Sequence, residues 1–384
     1  MKKRKIIVVF FITCVILGTK GSAKTDIRVK DSLSQDLNSN TTSSAVTETK
    51  KEKQWSDYVT KPKLGGYIIG KYSWNDRAGE KTNGGFDLRL VRLYVDGYCF
   101  KDFFYRLQME VNGSPGTDKG PRIVDAFIEW QRYKFLNIKI GQFKRPFTFE
   151  NPYNPWDVGM GSYAQAVNIL SGMSDYNGEH KSGGRDIGIQ IQGDLFPIAN
   201  EHNLLHYQAG VFNGQGINHT DKDSKKDLIG ALWINPLKNL SIGGFGWHGS
   251  YANENYTGET NTLDCVDRNR WGIGLKYESL WTARGEYISS EGRSVKNANG
   301  GDKADGWYTM VGVPVLNKLK IYGRWDCYRA EKNWATLKTN WGMTANYSFC
   351  KNLMLQANYS FTHDRSVKIG KNYNTIDIEV YARF

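Results

Sequence analysis

Beyond its N-terminus this 384-residue sequence has no apolar run long enough to cross a bilayer as a helix, and its mean hydropathy is −0.55. A helical membrane protein is excluded. A β-barrel is not, because barrel strands alternate lipid-facing and lumen-facing side chains and average to a polar composition. Proline is scarce, with 9 residues against 41 Gly, 22 Tyr, 17 Phe and 12 Trp. That balance suits strands, although a secreted β-sandwich or propeller would share part of it. Of five cysteines, Cys14 lies near the N-terminus, and Cys99, Cys265, Cys327 and Cys350 form neither a CxxC nor a metal-binding framework. A basic stripe is also missing. Five of the residues behind the formal charge of +12 are Lys2, Lys3, Arg4, Lys5 and Lys20, and the remainder are dispersed, so no nucleic-acid partner is expected.

The basic start, the apolar run Ile6 to Gly18 and the small residues Gly21, Ser22 and Ala23 read as a secretory signal over 1–23, cleaved near Ala23. The alternatives are a transmembrane anchor, for which the run is too short, and lipoprotein processing at Cys14, which no small residue precedes. Residues 24–60 are rich in Ser, Thr, Asn, Lys and Asp with few aromatics, and are expected to form a flexible polar leader rather than a regulatory or peptidoglycan-contacting segment.

From 61 to 384 the chain alternates. Phe103, Tyr105, Leu107, Met109 and Val111 share one face of a strand, and Phe104, Arg106, Gln108, Glu110 and Asn112 the other. The division recurs at Ile187–Ile191, Trp271–Tyr277, Trp341–Phe349 and Leu353–Thr362, and again where Ile376, Ile378 and Val380 alternate with Thr375, Asp377 and Glu379. Connections alternate as well. Tight turns near Tyr98–Asp102, Tyr133–Phe135, Asn235–Asn239, Glu278–Leu280, Pro314–Lys318 and Cys350–Asn352 are separated by long polar loops. Such alternation predicts an all-β, transmembrane antiparallel β-barrel of about sixteen strands, with short periplasmic turns, long extracellular loops and an interior too wide for side chains to fill. The chain ends at Phe384 on an apolar-alternating strand, which is expected to close the barrel on the first strand and to be the handle for the barrel-assembly machinery. With Cys99 and Cys350 at one rim and Cys265 and Cys327 at the other, cross-rim disulfides are impossible; a Cys265–Cys327 bridge is conceivable, but free thiols are expected.

The segment Phe143–Gly184 breaks the pattern. It holds Pro146, Pro152 and Pro155, and aromatics at Phe147, Phe149, Tyr153 and Trp156 argue against disorder. It is the third long loop.

Gly85-Phe86-Asp87-Leu88-Arg89, Gly141-Gln142-Phe143-Lys144-Arg145-Pro146-Phe147 and Gly184-Arg185-Asp186-Ile187-Gly188, taken in order, resemble the phosphate-selective porin O and P family of Gram-negative outer membranes. The resemblance runs from about Leu64 to Phe384. It implies an integral outer-membrane porin, a homotrimer surrounded by outer-membrane lipid, whose third loop folds into the lumen and forms a constriction lined by Lys and Arg.

A porin makes no bonds; it selects by width and by lumen charge, needs no cofactor or metal, and passes small anionic or polar solutes. Lys144 and Arg145 stand where the chain leaves the wall for the third loop, and with Lys139, Arg106 and Arg185 they are the expected constriction and anion-selectivity residues. Alternatively one of the pair only bridges to wall carboxylates. Other lumen cations are Arg89, Arg92, Arg270, Lys276, Arg284, Arg324 and Lys338. Lumen acids are Glu110, Asp125, Glu129, Asp186, Asp194, Glu286, Asp326, Asp377 and Glu379. The two sets nearly balance, so only weak anion selectivity is expected. The second strand changes phase around Arg89–Arg92, consistent with a bulge.

Gly244–Gly249 matches GxGxxG, but strand lies on both sides and no helix follows, so barrel wall is the better reading. His202 and His206 lack an accompanying HExxH. Two other readings of the barrel are a non-conducting surface receptor or adhesin, and a lipid hydrolase, for which the outer wall shows no adjacent Ser and His.

Overall fold

The computed structural model describes residues 58–79, 84–112, 120–174, 182–199, 201–253, 255–258, 264–292 and 303–384. The chain divides into Met1–Glu52 and Lys53–Phe384, and all described residues belong to the second unit. The signal over 1–23 and most of the 24–60 leader therefore lie outside the described residues.

Sixteen strands follow in order. They are β1 (Lys63–Asn75), β2 (Gly84–Cys99), β3 (Phe103–Glu110), β4 (Arg122–Tyr133), β5 (Leu136–Lys144), β6 (Arg185–Ile198), β7 (His202–Phe212) and β8 (Asp227–Leu237). Then come β9 (Leu240–Ala252), β10 (Cys265–Glu278), β11 (Thr282–Glu291), β12 (Lys303–Leu316), β13 (Leu319–Ala330), β14 (Leu337–Cys350), β15 (Leu353–Asp364) and β16 (Asn372–Arg383). Each pairs antiparallel with its sequence neighbour, and β16 pairs with β1 from Tyr67↔Arg383 to Asn75↔Thr375, so the sheet is a closed barrel. Closure satisfies every ladder and leaves no edge. Beyond β16, the Phe384 amide donates to the Gly66 carbonyl at 3.0 Å, and Gly66 has no side chain because a Cβ there would run into the Phe384 ring and the Arg92 carbonyl.

One rim carries seven connections of two or three residues, and the other eight of six residues or more. The sequence reading located six of the short ones; the seventh joins Ile198 to His202. Side-chain periodicity then sorts the two faces. Ile189, Ile191, Ile273, Leu275, Met343, Ile376, Ile378 and Val380 are exposed on the outside, a band that only an apolar surround stabilises. The GxGxxG segment lies inside β9, and all four described cysteines are free.

Two bulges shift the alternation. Ile69 pairs with Leu90 but Gly70 pairs with Leu88, leaving Arg89 as the extra residue, so Arg89 and Arg92 both reach the interior. Val124 is likewise extra opposite Gln108 and Met109, which turns both Asp125 and Arg122 inward. A bulge puts two residues opposite one and reverses the phase beyond it.

The described part of the third loop lies inside the barrel, as the family resemblance implied, and fills part of the interior. Residues 145–174 enter the barrel, and their apolar side chains join inward residues of β8, β9, β11 and β12, among them Ile229, Phe245, Ile288 and Met310, in one buried hydrophobic cluster set among inward charged residues. Phe147 meets Phe245 and Trp247 at ring separations of 6.1 and 5.5 Å, and Phe149 meets Trp233 and Phe245 at 5.4 and 5.0 Å. Met160, Ala164, Ala166, Val167 and Leu170, the last three on the short helix α1 (Gln165–Leu170), complete it. Each large apolar side chain buried this way contributes roughly 1.5–3 kcal/mol.

Candidate functional site

A 40-residue connection has more backbone polar groups than its own turns can satisfy, and a buried one must find donors and acceptors elsewhere. The inward faces of the strands supply them. Arg270 on β10 donates to the Leu170 carbonyl at 2.8 Å, Arg284 on β11 to the Val158 carbonyl, and Arg324 on β13 to the Ser162 carbonyl at 2.6 Å. Glu286 accepts the Phe149 and Glu150 amides at 2.6 and 3.0 Å and the Tyr308 hydroxyl at 2.7 Å. Asn346 donates to the Gly159 carbonyl at 2.9 Å, and Asn358 accepts the Gly161 amide at 3.0 Å. Arg270, Arg284 and Arg324 do face inward as the alternation indicated. They are buried against the loop rather than open to a permeant ion.

Both ends of the loop are clamped. The Arg145 amide donates to the Gly184 carbonyl at 2.8 Å, and the Asn151 side-chain amide donates to the carbonyls of Arg145 and Gly184 at 3.0 and 3.3 Å. Gly184 has φ +75°, and a Cβ there would overlap the Asn151 side chain, so glycine is required on two counts. Gly141, φ +126°, passes directly over the Ala126 carbonyl. Two of the glycines in the motifs read from the sequence are thus geometric necessities of loop entry and exit.

Lys144 and Arg145 stand at the start of the third loop, but neither lines an open passage, and Arg145 follows the alternative of a bridge to a wall carboxylate. Arg145 is fully buried, paired with Asp186 at 2.9 Å and resting on the Trp247 indole at 4.8 Å. Arg268 and Arg270 pack around the same indole at 4.5 and 4.7 Å, and Arg268 pairs with Asp227 at 2.7 Å. Lys144 donates to the carbonyls of Asn151 and Tyr153, both at 2.6 Å, and to the Tyr163 hydroxyl at 3.2 Å. Arg185 is buried in a two-bond pair with Asp125, at 2.7 and 3.0 Å. All three hold the loop to the wall through carbonyls and carboxylates within hydrogen-bond distance. Burial pushes the Glu150 carboxyl above its ordinary range, with Arg324 and Arg284 pulling it back and the Ala164 amide donating to it at 3.0 Å. Lys181, Asp175 and Glu179 of the loop lie outside the described residues.

The wall from β16 through β1 to β5 carries a second set of inward charges. Five ion pairs line it: Lys71–Asp377, Arg89–Glu379, Arg106–Asp96, Arg122–Glu110 and Lys139–Glu129, at 2.6–3.4 Å. Arg92 adds a buried bond to Glu110 at 2.7 Å. In every one of the five the cation is the more exposed partner: the cationic side chains keep 15–32% of their exposure and the acids 0–18%. Of the candidates named from the sequence, Arg106, Lys139 and Arg89 are therefore the more exposed members of their pairs, with Glu110 and Glu129 behind their partners, whereas in the Arg185–Asp125 pair both side chains are buried and the acid is the more exposed. Lys71, Arg122 and Arg268 were missed. Arg122 is hidden by the Val124 bulge, Lys71 shares its face with Tyr67 and Ile69, and Arg268 adjoins the residues read as a loop.

His206 pairs with Asp194 at 2.7 Å and His202 meets the Asn235 carbonyl at 3.0 Å, so neither is positioned as half of a metal pair. Among the described residues no cluster of three His, Cys, Asp or Glu could hold a metal ion.

Residues 66–155 match the sequence model of the family "Phosphate-selective porin O and P". That segment contains two of the three motifs that carried the resemblance. Porin O of Pseudomonas aeruginosa is 20% identical over 295 residues, covering 68% of this chain; the chain matches about 65% of that protein's length. Among solved structures, the anion-selective porin from Comamonas acidovorans superposes with a TM-score of 0.62 at 13% identity, covering 84% of this chain and 99% of that one. A trimer form of OmpT, an outer membrane protein of Vibrio cholerae, gives 0.58 at 12% identity over 84% and 99%. These findings support the phosphate-selective porin O and P family, and the structural likeness shows a shared barrel fold.

Proposed function

We propose that this chain is an outer-membrane porin: a water-filled channel for passive diffusion of small hydrophilic solutes, with a preference for anions. It is a channel rather than an enzyme, set in outer-membrane lipid of a Gram-negative cell as a homotrimer, with its short turns toward the periplasm. The observation that carries the reading is the orientation of the five ion pairs on the β16–β1–β5 wall, each with its cation toward water. Fixed charges at a narrow aqueous passage raise the local concentration of the opposite ion. Arg106, Lys139, Arg89, Lys71 and Arg122 are the selectivity residues in this proposal. Lys144, Arg145, Arg185, Arg92, Arg270, Arg284 and Arg324 shape the passage by holding the loop and wall. The C-terminal strand ending in Phe384 is the proposed handle for the assembly machinery.

Reversal potentials across a planar bilayer in a KCl gradient test it. The wild type is expected to favour chloride, and Arg106→Gln combined with Lys139→Gln is expected to move the potential toward zero. A potential that the double substitution leaves in place would show that these cations do not set selectivity, and a chain that never conducts would end the channel reading.

A further inference from the structure

At the short-turn end of the lumen, between the third loop and the wall of β1–β3 and β16, a small open cleft of about 100 Å³ remains. Two guanidinium groups line it, and each lies on an aromatic face. Arg383 sits 4.6 Å from the Trp156 ring centroid and Arg106 sits 5.2 Å from that of Tyr94. The Arg383 Nε donates to the Lys351 carbonyl, which fixes the group without consuming its fork. Between the two, Gln108 is 3% exposed, and its side-chain Nε2 has no hydrogen-bond acceptor; the Nε of Arg106 has none either. A buried donor left unmade costs about 1–3 kcal/mol, so two of them beside one opening call for an acceptor in it. The loop side of the cleft presents the opposite chemistry. Asp157 is exposed there, and Asn154 lies beside it.

Arg106 keeps its ion pair with Asp96 at 2.7 Å, so the donors the wall offers are the Arg383 fork and Gln108 Nε2; with the Asp157 carboxylate on the loop they make the two sides of the cleft complementary to a solute that is itself a dipole. We propose that this cleft is a transit site for small zwitterions of the free α-amino-acid class, the solute's carboxylate lying toward Arg383 and Gln108 and its ammonium toward Asp157. The site rests on the channel reading and adds a substrate class to it, since the wall cations alone favour simple anions. Tyr67, whose hydroxyl accepts from Arg92 at 2.9 Å, also lines the cleft.

The test uses the full chain in a planar bilayer at about 0.1 M KCl, where surface charge is only partly screened. L-Serine, acetate and methylammonium are added separately at equal concentration, and the reduction of single-channel current is read. L-Serine is expected to reduce the current with saturation, at a concentration about tenfold or more below that needed for either half-molecule, because each charge-assisted bond is worth that much. Asp157→Asn and Gln108→Leu are each expected to raise the L-serine half-saturation by about tenfold. Circular dichroism of both variants verifies the barrel, and exposed Asp157 carries the test if Gln108→Leu fails to fold. Acetate acting as strongly as L-serine, or an L-serine response indifferent to Asp157→Asn, overturns the proposal. A channel that conducts KCl but ignores L-serine overturns the proposal and leaves the porin reading standing, whereas absent conductance overturns both.

Discussion

Replacing Arg145 with alanine separates a loop fastener from a pore charge. In the native barrel Arg145 and Asp186 are both fully buried and paired at 2.9 Å. Removing one partner of such a pair leaves a bare buried charge and typically costs about 3–5 kcal/mol. The Asp186 carboxylate keeps two backbone donors, the amides of Ile187 at 2.8 Å and Gly214 at 3.0 Å, which places the loss near the lower end, about 3 kcal/mol. The lost contact with Trp247 at 4.8 Å is partly replaced by Arg268 and Arg270, which occupy the same indole.

Thermal or denaturant unfolding in detergent reads that loss, and a double-mutant cycle assigns it. Arg145→Ala with Asp186→Asn is expected to recover part of the stability, since the uncompensated charge is then absent, while the single Asn oxygen can accept only one of the two amides, which bond to different carboxylate oxygens in the native barrel. In the bilayer the single variant is expected to raise conductance and current noise as the loop loosens, with little change in reversal potential. A variant of native stability whose potential moves as far toward zero as that of Arg106→Gln with Lys139→Gln would refute the placement of Arg145 in a buried pair.

Phe147→Ala, which empties the contact between loop and β9, is expected to cost about 3–5 kcal/mol in equilibrium unfolding and to leave selectivity unchanged. Gly184→Ala should destabilise by more than about 1 kcal/mol, because both the positive φ and the Asn151 side chain oppose a Cβ; the variant is expected to release loop protease sites that the native barrel protects. For Glu150 the sign follows from a carboxyl raised by burial: the docked form binds the proton more tightly than the unfolded chain does, so its contribution is fullest below the ordinary glutamate range and declines as pH rises through the raised value. Subtracting the pH–stability curve of Glu150→Gln from that of the wild type should expose that decline, and a flat difference would contradict it.

Strand number, the two classes of connection and the identity of the inserted loop were legible because they are written in local patterns: side-chain alternation, connection length, and three prolines among aromatics. The phase change at Arg89–Arg92 was visible for the same reason, since a bulge breaks a two-residue period. What side chains do once inside was not legible. Alternation correctly turned Arg270, Arg284 and Arg324 inward, yet it carries no information on whether an inward arginine meets water or a loop carbonyl. That depends on which wall the loop lies against, and this is decided by contacts far apart in sequence, such as Phe147 with Trp247. Apolar inward residues on β8–β13, including Ile229, Phe245, Ile288 and Met310, were the available signal. A wall meant only for water would not carry them.

A count of lumen charges misleads for a related reason. The five wall pairs are neutral as units, but aspartate and glutamate hold their charge near the backbone while lysine and arginine extend theirs toward water. A chloride about 4 Å from the cation and about 8 Å from its acid gains about 1 kcal/mol from one and loses about half that to the other in bulk-like water, a net of roughly 0.5 kcal/mol, or about twofold, per pair. On the proposed channel reading, several such pairs along one path would give a modest preference for anions. They would also make it a fragile one. The Debye length falls from about 10 Å at 0.1 M salt to about 3 Å at 1 M, shorter than the distance over which the pair's dipole acts on a passing ion. The chloride-to-potassium permeability ratio is therefore expected to decline toward unity as salt is raised at a fixed gradient ratio. A ratio independent of salt would point instead to tight ion coordination at a dehydrated site, and the exposed pairs would then be bystanders.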